Sequence, residues 1–168
     1  MPVTQTGSRS SSLVAGIGEM IATTDPTATL VTYSLGSCIG VSIYDPEVNF
    51  GALIHCMLPS SKVEQEKAAI NPHRYTDTGI VAMLQTAFDH GADRSRMQIR
   101  VAGGAAPMDA CGRFKIGERN FATLRKVLWK NNLLLQGEDV GGTQPRTMTL
   151  YMPDGRVTVR KGREEAEL

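Results

Sequence analysis

Residues 38–57 read CIGVSIYDPEVNFGALIHCM, two runs of alternating apolar residues on either side of Asp45-Pro46. In the first run Ile39, Val41 and Ile43 share one face, and Cys38, Gly40, Ser42 and Tyr44 share the other. In the second, Phe50, Ala52, Ile54 and Cys56 lie opposite Asn49, Gly51, Leu53, His55 and Met57. An antiparallel hairpin brings the two strongly apolar faces to one side. The predicted register sets Ile39 against Ile54, Val41 against Ala52 and Ile43 against Phe50, because a one-residue slip sends one set to the wrong face. Tyr44 then faces Asn49 across the loop 45–48, a common hairpin length. The same register sets Cys38 directly opposite His55, with Cβ atoms about 4.5–5.5 Å apart.

Outward from this hairpin, strands are expected near 13–22 and over 28–34, the second rich in β-branched and aromatic residues. Leu35-Gly36-Ser37 interrupts before the hairpin. Residues 59–72 carry no clear period and are expected as a long loop of the functional kind. Two amphipathic helices follow, over 77–90 (Ile80, Val81, Leu84, Ala87 and Phe88 on one stripe) and 118–131 (Phe121, Leu124, Val127 and Leu128). A strand over 97–101 lies between them, another is expected over 133–137, and 146–160 reads as a hairpin turning at Pro153-Asp154-Gly155. The pattern predicts an α+β layered domain over 13–160 with mostly antiparallel strands and two main helices. A polar N-terminal tail over 1–12 is expected to be disordered, and a charged tail over 161–168 solvated.

The chain has 168 residues, 41% hydrophobic and 21% charged, which suits one globular domain. Eighteen Lys and Arg against seventeen Asp and Glu leave a net charge of +1, so binding to nucleic acid driven by charge is not expected. No apolar run is long enough to span a bilayer, and the first residues lack the apolar core of a secretory signal. Cys38, Cys56 and Cys111 form no CxxC pair, so free thiols in a reducing cytoplasm are expected. The mild charge suits a monomer.

The Cys38–His55 pair admits two readings. A neighbouring imidazole can take the proton of a thiol that is otherwise a poor nucleophile at neutral pH, and a turn at Gly36-Ser37 can aim backbone N–H groups at an oxyanion. Alternatively, Cys38 is a buried structural thiol beside a satisfied histidine. Cys56 falls on the apolar face as a core thiol, and Cys111 has no sequence partner. His55 and Cys56 point to opposite faces and no second ligand pair exists, so no metal site is expected. His90 reads as a helix C-terminal cap, and His73 as a residue touching either substrate or solvent. Gly103-Gly104 and Gly141-Gly142 match no phosphate-loop spacing and read as turns.

The motifs 32–38 (TYSLGSC) and 51–59 (GALIHCMLP) resemble the CheD family of chemoreceptor glutamine deamidases. Agreement continues through Arg74-Tyr75-Thr76-Asp77, Gly103-Gly104-Ala105, Ile116-Gly117-Glu118-Arg119-Asn120 and Glu138-Asp139-Val140-Gly141-Gly142, with Arg146 beyond. The N-terminal extension, Cys56 after His55 and the segment 106–115 depart from the family pattern. The resemblance implies a catalytic Cys38, His55 and Thr32, of which Thr32 is not singled out by its spacing. It also makes Gly36, Ser37, Tyr75, Gly103 and Gly104 candidates for substrate or oxyanion contacts. The implied fold is a layered α/β sandwich like the Cys–His deamidase domain of cytotoxic necrotizing factor toxins. The implied activity is hydrolysis of glutamine side chains on the cytoplasmic domains of chemoreceptors, without a cofactor. The implied regulatory partner is the phosphatase CheC, and the alternative function is a binding module for CheC with little deamidase activity.

Overall fold

The computed structural model describes residues 10–107 and 115–168. Along the chain they form strands β1 (Ser12–Val14), β2 (Met20–Thr23), β3 (Thr29–Leu35), β4 (Ile39–Asp45) and β5 (Phe50–Cys56), then helices α1 (Gln65–Ile70) and α2 (Thr76–Asp89). Strand β6 (Gln98–Gly103), helix α3 (Ile116–Lys130) and strands β7 (Gly137–Val140), β8 (Arg146–Tyr151), β9 (Val157–Lys161) and β10 (Glu164–Glu167) complete it. One sheet has the order β1-β3-β8-β9-β10 and the other β2-β5-β4-β6-β7. Pairing is antiparallel except at β1–β3 and β6–β7. No helix of the described residues is long and apolar enough to cross a membrane.

Every residue of β4 and β5 is buried, because each face of this hairpin has its own cover. Ile39, Val41, Ile43, Phe50, Ala52, Ile54 and Cys56 pack with α2 and α3. Tyr44 and Leu53, on the opposite face, pack with Leu30, Leu35, Met148 and Leu150 of the other sheet. The layers are therefore sheet, sheet, helices, the α+β sandwich the sequence implied.

The hairpin keeps the expected faces but not the expected register. Ile39 pairs with Cys56, Val41 with Ile54 and Ile43 with Ala52, and Gly40 rather than Cys38 stands opposite His55. A shift of two residues leaves every side chain on its own face, so the apolar pattern cannot distinguish the two registers. The loop decides instead. Asn49 takes a left-handed φ of 48°, and the buried Asp45 carboxylate accepts from the Glu47 amide at 3.0 Å and the Asp93 amide at 2.9 Å. Arg96 Nε lies 3.1 Å from the same carboxylate. This clasp pairs Asp45 with Phe50 and moves the loop one residue along.

Four other expectations are corrected. The strand expected over 13–22 splits at a turn into β1 and β2, which join different sheets. The loop over 59–72 holds α1 between two short 3-10 turns. Leu133–Leu135 precede the strand expected there, which begins at Gly137. The charged C-terminal residues form β10 against β9, exposed but hydrogen-bonded. Residues 1–9 of the N-terminal tail and Cys111 lie outside the described residues, whereas Ser12 already belongs to β1.

Candidate active site

Cys38 sits where the chain crosses from one sheet to the other. In β3 the pairing with β8 shifts between Thr32 and Leu35, with Ser34 at a φ of 59°. That irregularity ends the strand and throws residues 36–38 onto the second sheet, where β4 begins. The carbonyls of this crossing are all tied down: Gly36 accepts from the Ala105 amide at 2.8 Å, Cys38 from the Gly104 amide at 2.8 Å, and Ser37 from Asn120 Nδ2 at 2.9 Å. Asn120 is fully buried and also donates to the Met57 carbonyl at 3.1 Å, while its own oxygen accepts from Thr76 at 3.0 Å. It thereby locks the Cys38 loop to the end of β5, the strand that carries His55. The clue in the sequence was a polar residue on the Asn120-Leu124-Leu128 stripe of α3, all of it buried.

His55 and Cys38 lie on the same face, toward the other sheet, as diagonal neighbours rather than a directly opposed pair. Diagonal positions have Cα atoms about 7–8 Å apart, within the span of an imidazole and a thiol. Cys56 faces the helices. Across the inter-sheet space, Thr32 Oγ1 lies 2.8 Å from His55 Nδ1 and donates to the Ala15 carbonyl at 2.7 Å. A hydroxyl has one hydrogen, and a carbonyl can only accept. The hydrogen therefore belongs to the Ala15 contact, and His55 Nδ1–H donates to Thr32. The imidazole is held in one tautomer with its Nε2 lone pair free, and among the described residues this buried Nε2 has no hydrogen-bond partner. Gly40 makes the approach of the two sheets possible: a Cβ there would lie 2.8 Å from Leu35 and 3.3 Å from the Thr32 methyl.

Burial pushes the His55 imidazole down to about 4 and the Cys38 thiol up, the latter opposed by a smaller pull from the Cys38 backbone amide. Both groups are neutral at neutral pH. Burial raises the Cys56 thiol as well, which keeps it inert. An unfolded His55 takes its proton near its ordinary 6.5, whereas the folded one refuses it down to about 4. The His55 contribution to stability therefore falls as pH drops through 6.5 and levels off below about 4. His55→Gln should flatten this part of the profile by about 3 kcal/mol, read from urea midpoints between those pH values. A smaller slope from the half-buried His73, also pushed down by burial, should remain.

The other candidate residues take varied places. The Gly36 amide is committed to the Ser34 carbonyl at 3.0 Å. Among the described residues, the Ser37 and Cys38 amides donate to no other backbone group. Tyr75 is buried, with its hydroxyl donated to Glu64 at 2.5 Å. Gly103 and Gly104 act through the loop they support: Gly103, at a φ of 112°, lets the Cys38 carbonyl approach where a Cβ would collide with it. Gly103→Ala should therefore cost at least about 2 kcal/mol, from left-handed strain and the collision together, as a lowered urea midpoint at unchanged slope. Arg146, also buried, joins Asp139 at 3.1 Å to the Gly141 carbonyl at 2.7 Å and ties the Gly141-Gly142 turn to β8. His90 Nδ1 bonds the Thr86 carbonyl at 2.8 Å at the end of α2, the capping place expected for it.

The fold and the site together define a layered α+β protein whose thiol and tautomer-locked imidazole share one face at a sheet crossing. A family model described as CheD chemotactic sensory transduction matches residues 57–161, and the chain belongs to the CheD family. It is 41% identical to a probable chemoreceptor glutamine deamidase CheD of Solibacter usitatus, over 93% of this chain and 92% of that one. Residues 32–55 fall inside that span. A second such protein, CheD 1 of Syntrophus aciditrophicus, is 45% identical over 78% of this chain and 82% of its own. CheD 2 of Anaeromyxobacter dehalogenans is 37% identical over 93% of this chain and 98% of its own. Among solved structures, the hypothetical protein YfiH of Bacillus licheniformis superposes with a TM-score of 0.45 at 15% identity. It covers 71% of this chain, which spans about half of YfiH (49%), a likeness too low to bear on fold or function.

Proposed function

We propose that the chain is a chemoreceptor glutamine deamidase with Cys38 as nucleophile, His55 as general base and acid, and Thr32 as the residue that holds His55. The observation that carries this reading is the Thr32–His55 bond at 2.8 Å, which leaves a buried, unpartnered Nε2 as proton acceptor on the face of Cys38. Because thiol and imidazole are both neutral at rest, the proton moves as the attack occurs rather than from a preformed ion pair. Sulfur bonds to the side-chain amide carbon of glutamine while Nε2 takes the thiol proton. The Ser37 and Cys38 amides stabilise the oxyanion. His55 returns its proton to the amide nitrogen, ammonia leaves, and a thioester remains. Water attacks that carbon with its proton passing to Nε2, the C–S bond breaks, and glutamate and the thiol are restored.

The layered sandwich is, on the same reading, of the cytotoxic necrotizing factor kind, supported by two stacked sheets with Cys and His on one inner face. A cytoplasmic location and regulation by CheC belong to this reading too. Mass spectrometry of a purified receptor cytoplasmic domain incubated with the chain tests it. Conversion of specific glutamines to glutamate is the expected result. An unchanged receptor overturns the enzyme, and if CheC still binds, the chain is a regulatory module. Cleaved backbone would make it a peptidase.

A further inference from the structure

The three carbonyls of the sheet crossing are held in two different ways. Those of Gly36 and Cys38 accept from the Ala105 and Gly104 amides, whereas the Ser37 carbonyl between them accepts from a side chain, Asn120 Nδ2, at 2.9 Å. The same NH2 group also donates to the Met57 carbonyl at 3.1 Å. Thr76 Oγ1 donates to Asn120 Oδ1 at 3.0 Å, which fixes the end of the amide that faces the two carbonyls. Thr76 and Asn120 are both fully buried. Gly117, one turn earlier on the buried stripe of α3, lets the helix come this close, since a Cβ there would lie 2.5 Å from the Ala105 carbonyl. Side chains from two helices are thus directed at one peptide unit beside the nucleophile.

We propose that Asn120 is a positioning residue of the reaction: by gripping the Ser37 carbonyl it sets the direction of the Cys38 amide N–H, the donor that meets the oxyanion. The inference rests on the deamidase reading and adds what aims its oxyanion donor. In a planar trans peptide the C=O and the following N–H point in opposite directions, and no peptide bond among the described residues is cis. Holding the Ser37 oxygen at Asn120 therefore turns the Cys38 N–H away from Asn120. That N–H donates to no other backbone group among the described residues, and it stands close enough to the Cys38 sulfur to favour the thiolate. The oxyanion grows on the carbon that this sulfur attacks, so it forms beside this N–H. Asn120 touches no reacting atom itself; without it the peptide can rotate and the donor loses its aim.

Deamidation of a short glutamine peptide and alkylation of Cys38 by iodoacetamide separate this role from general support. Alkylation needs the sulfur and a proton acceptor but forms no oxyanion. Asn120→Ala, measured per folded molecule, should lower kcat about 10- to 100-fold with KM within about twofold of wild type. Its Cys38 should alkylate at the wild-type rate. Equal kcat overturns the role, and so does an alkylation rate that falls in step with kcat, since the loss then lies in the thiol. Asn120→Ala strands the Ser37 and Met57 carbonyls, so Thr76→Val provides a second test if that chain does not fold. It leaves both Asn120 donors in place but frees the amide to flip, so kcat should drop at least about threefold. Thr76→Ser should restore it. Thr76→Val with wild-type kcat, or Thr76→Ser no faster than Thr76→Val, overturns the proposal as well. A wild type that is alkylated but deamidates nothing refutes the deamidase reading, and the role falls with it. An active wild type with an equally active Asn120→Ala refutes the positioning role alone.

Discussion

Cys38→Ala and His55→Gln should each lower deamidation at least about 10^3-fold, while both chains remain folded. The size follows from the resting state of the pair. Burial raises the Cys38 thiol and lowers the His55 imidazole to about 4, so almost no thiolate exists at neutral pH without a base to receive the proton. Removing the base leaves a neutral thiol, and removing the sulfur leaves a base with nothing to activate. The double variant should therefore be no slower than the worse single one, as expected of groups that act as a unit. An independent measurement checks the protonation state. Alkylation of Cys38 by iodoacetamide should rise about tenfold per pH unit beyond neutrality without an early plateau. A plateau near pH 7 would reveal a preformed thiolate–imidazolium pair. Cys38→Ala with wild-type turnover would sink the covalent route.

Thr32→Val should lower kcat at least tenfold, with KM for a short glutamine peptide little changed. Its hydroxyl serves two groups at once, donating to the Ala15 carbonyl and accepting from His55 Nδ1–H. Valine keeps the volume and leaves both groups without a partner in a fully buried place. Each such orphan costs about 1–3 kcal/mol, so this chain should also melt earlier. Turnover must accordingly be measured per folded molecule. The loss specific to catalysis comes from the freed imidazole, which can turn or place its proton on Nε2, where it can no longer accept. Thr32→Ser restores the hydroxyl and should recover most of the rate, and a stability defect alone would not produce that recovery together with an unchanged KM. Equal kcat in Thr32→Val and wild type would reduce Thr32 to scaffold.

Much of this site was legible in residues 38–57, and the limits of that reading have physical causes. Strand parity put Cys38 and His55 on one face and Cys56 on the other, and parity survives any even shift, so the two-residue error in register moved a direct pair to a diagonal one without separating it. The Asp45 clasp that sets the register depends on Asp93 and Arg96, 48 and 51 residues away, beyond the reach of any local pattern. Thr32 meets His55 across two sheets, a contact that no spacing along one strand can express, and only the family resemblance brought it forward. Asn120 was visible as part of a motif, but its place between the Ser37 and Met57 carbonyls exists only once α3 lies beside the sheet crossing. The missed C-terminal strand is a matter of composition: Glu164, Glu165 and Glu167 are poor strand formers, and the segment is held by pairing with β9.

That last strand bears on how the molecule behaves in company. β10 is the outermost strand of its sheet and is exposed throughout, so its free backbone groups offer a template to any passing chain. Three glutamates in four residues place a row of like charge along that border. A second copy aligning its own β10 there would bring six carboxylates together, and the repulsion outweighs what a few ladder hydrogen bonds return. A border of that charge disfavours edge-to-edge pairing with a second copy of itself.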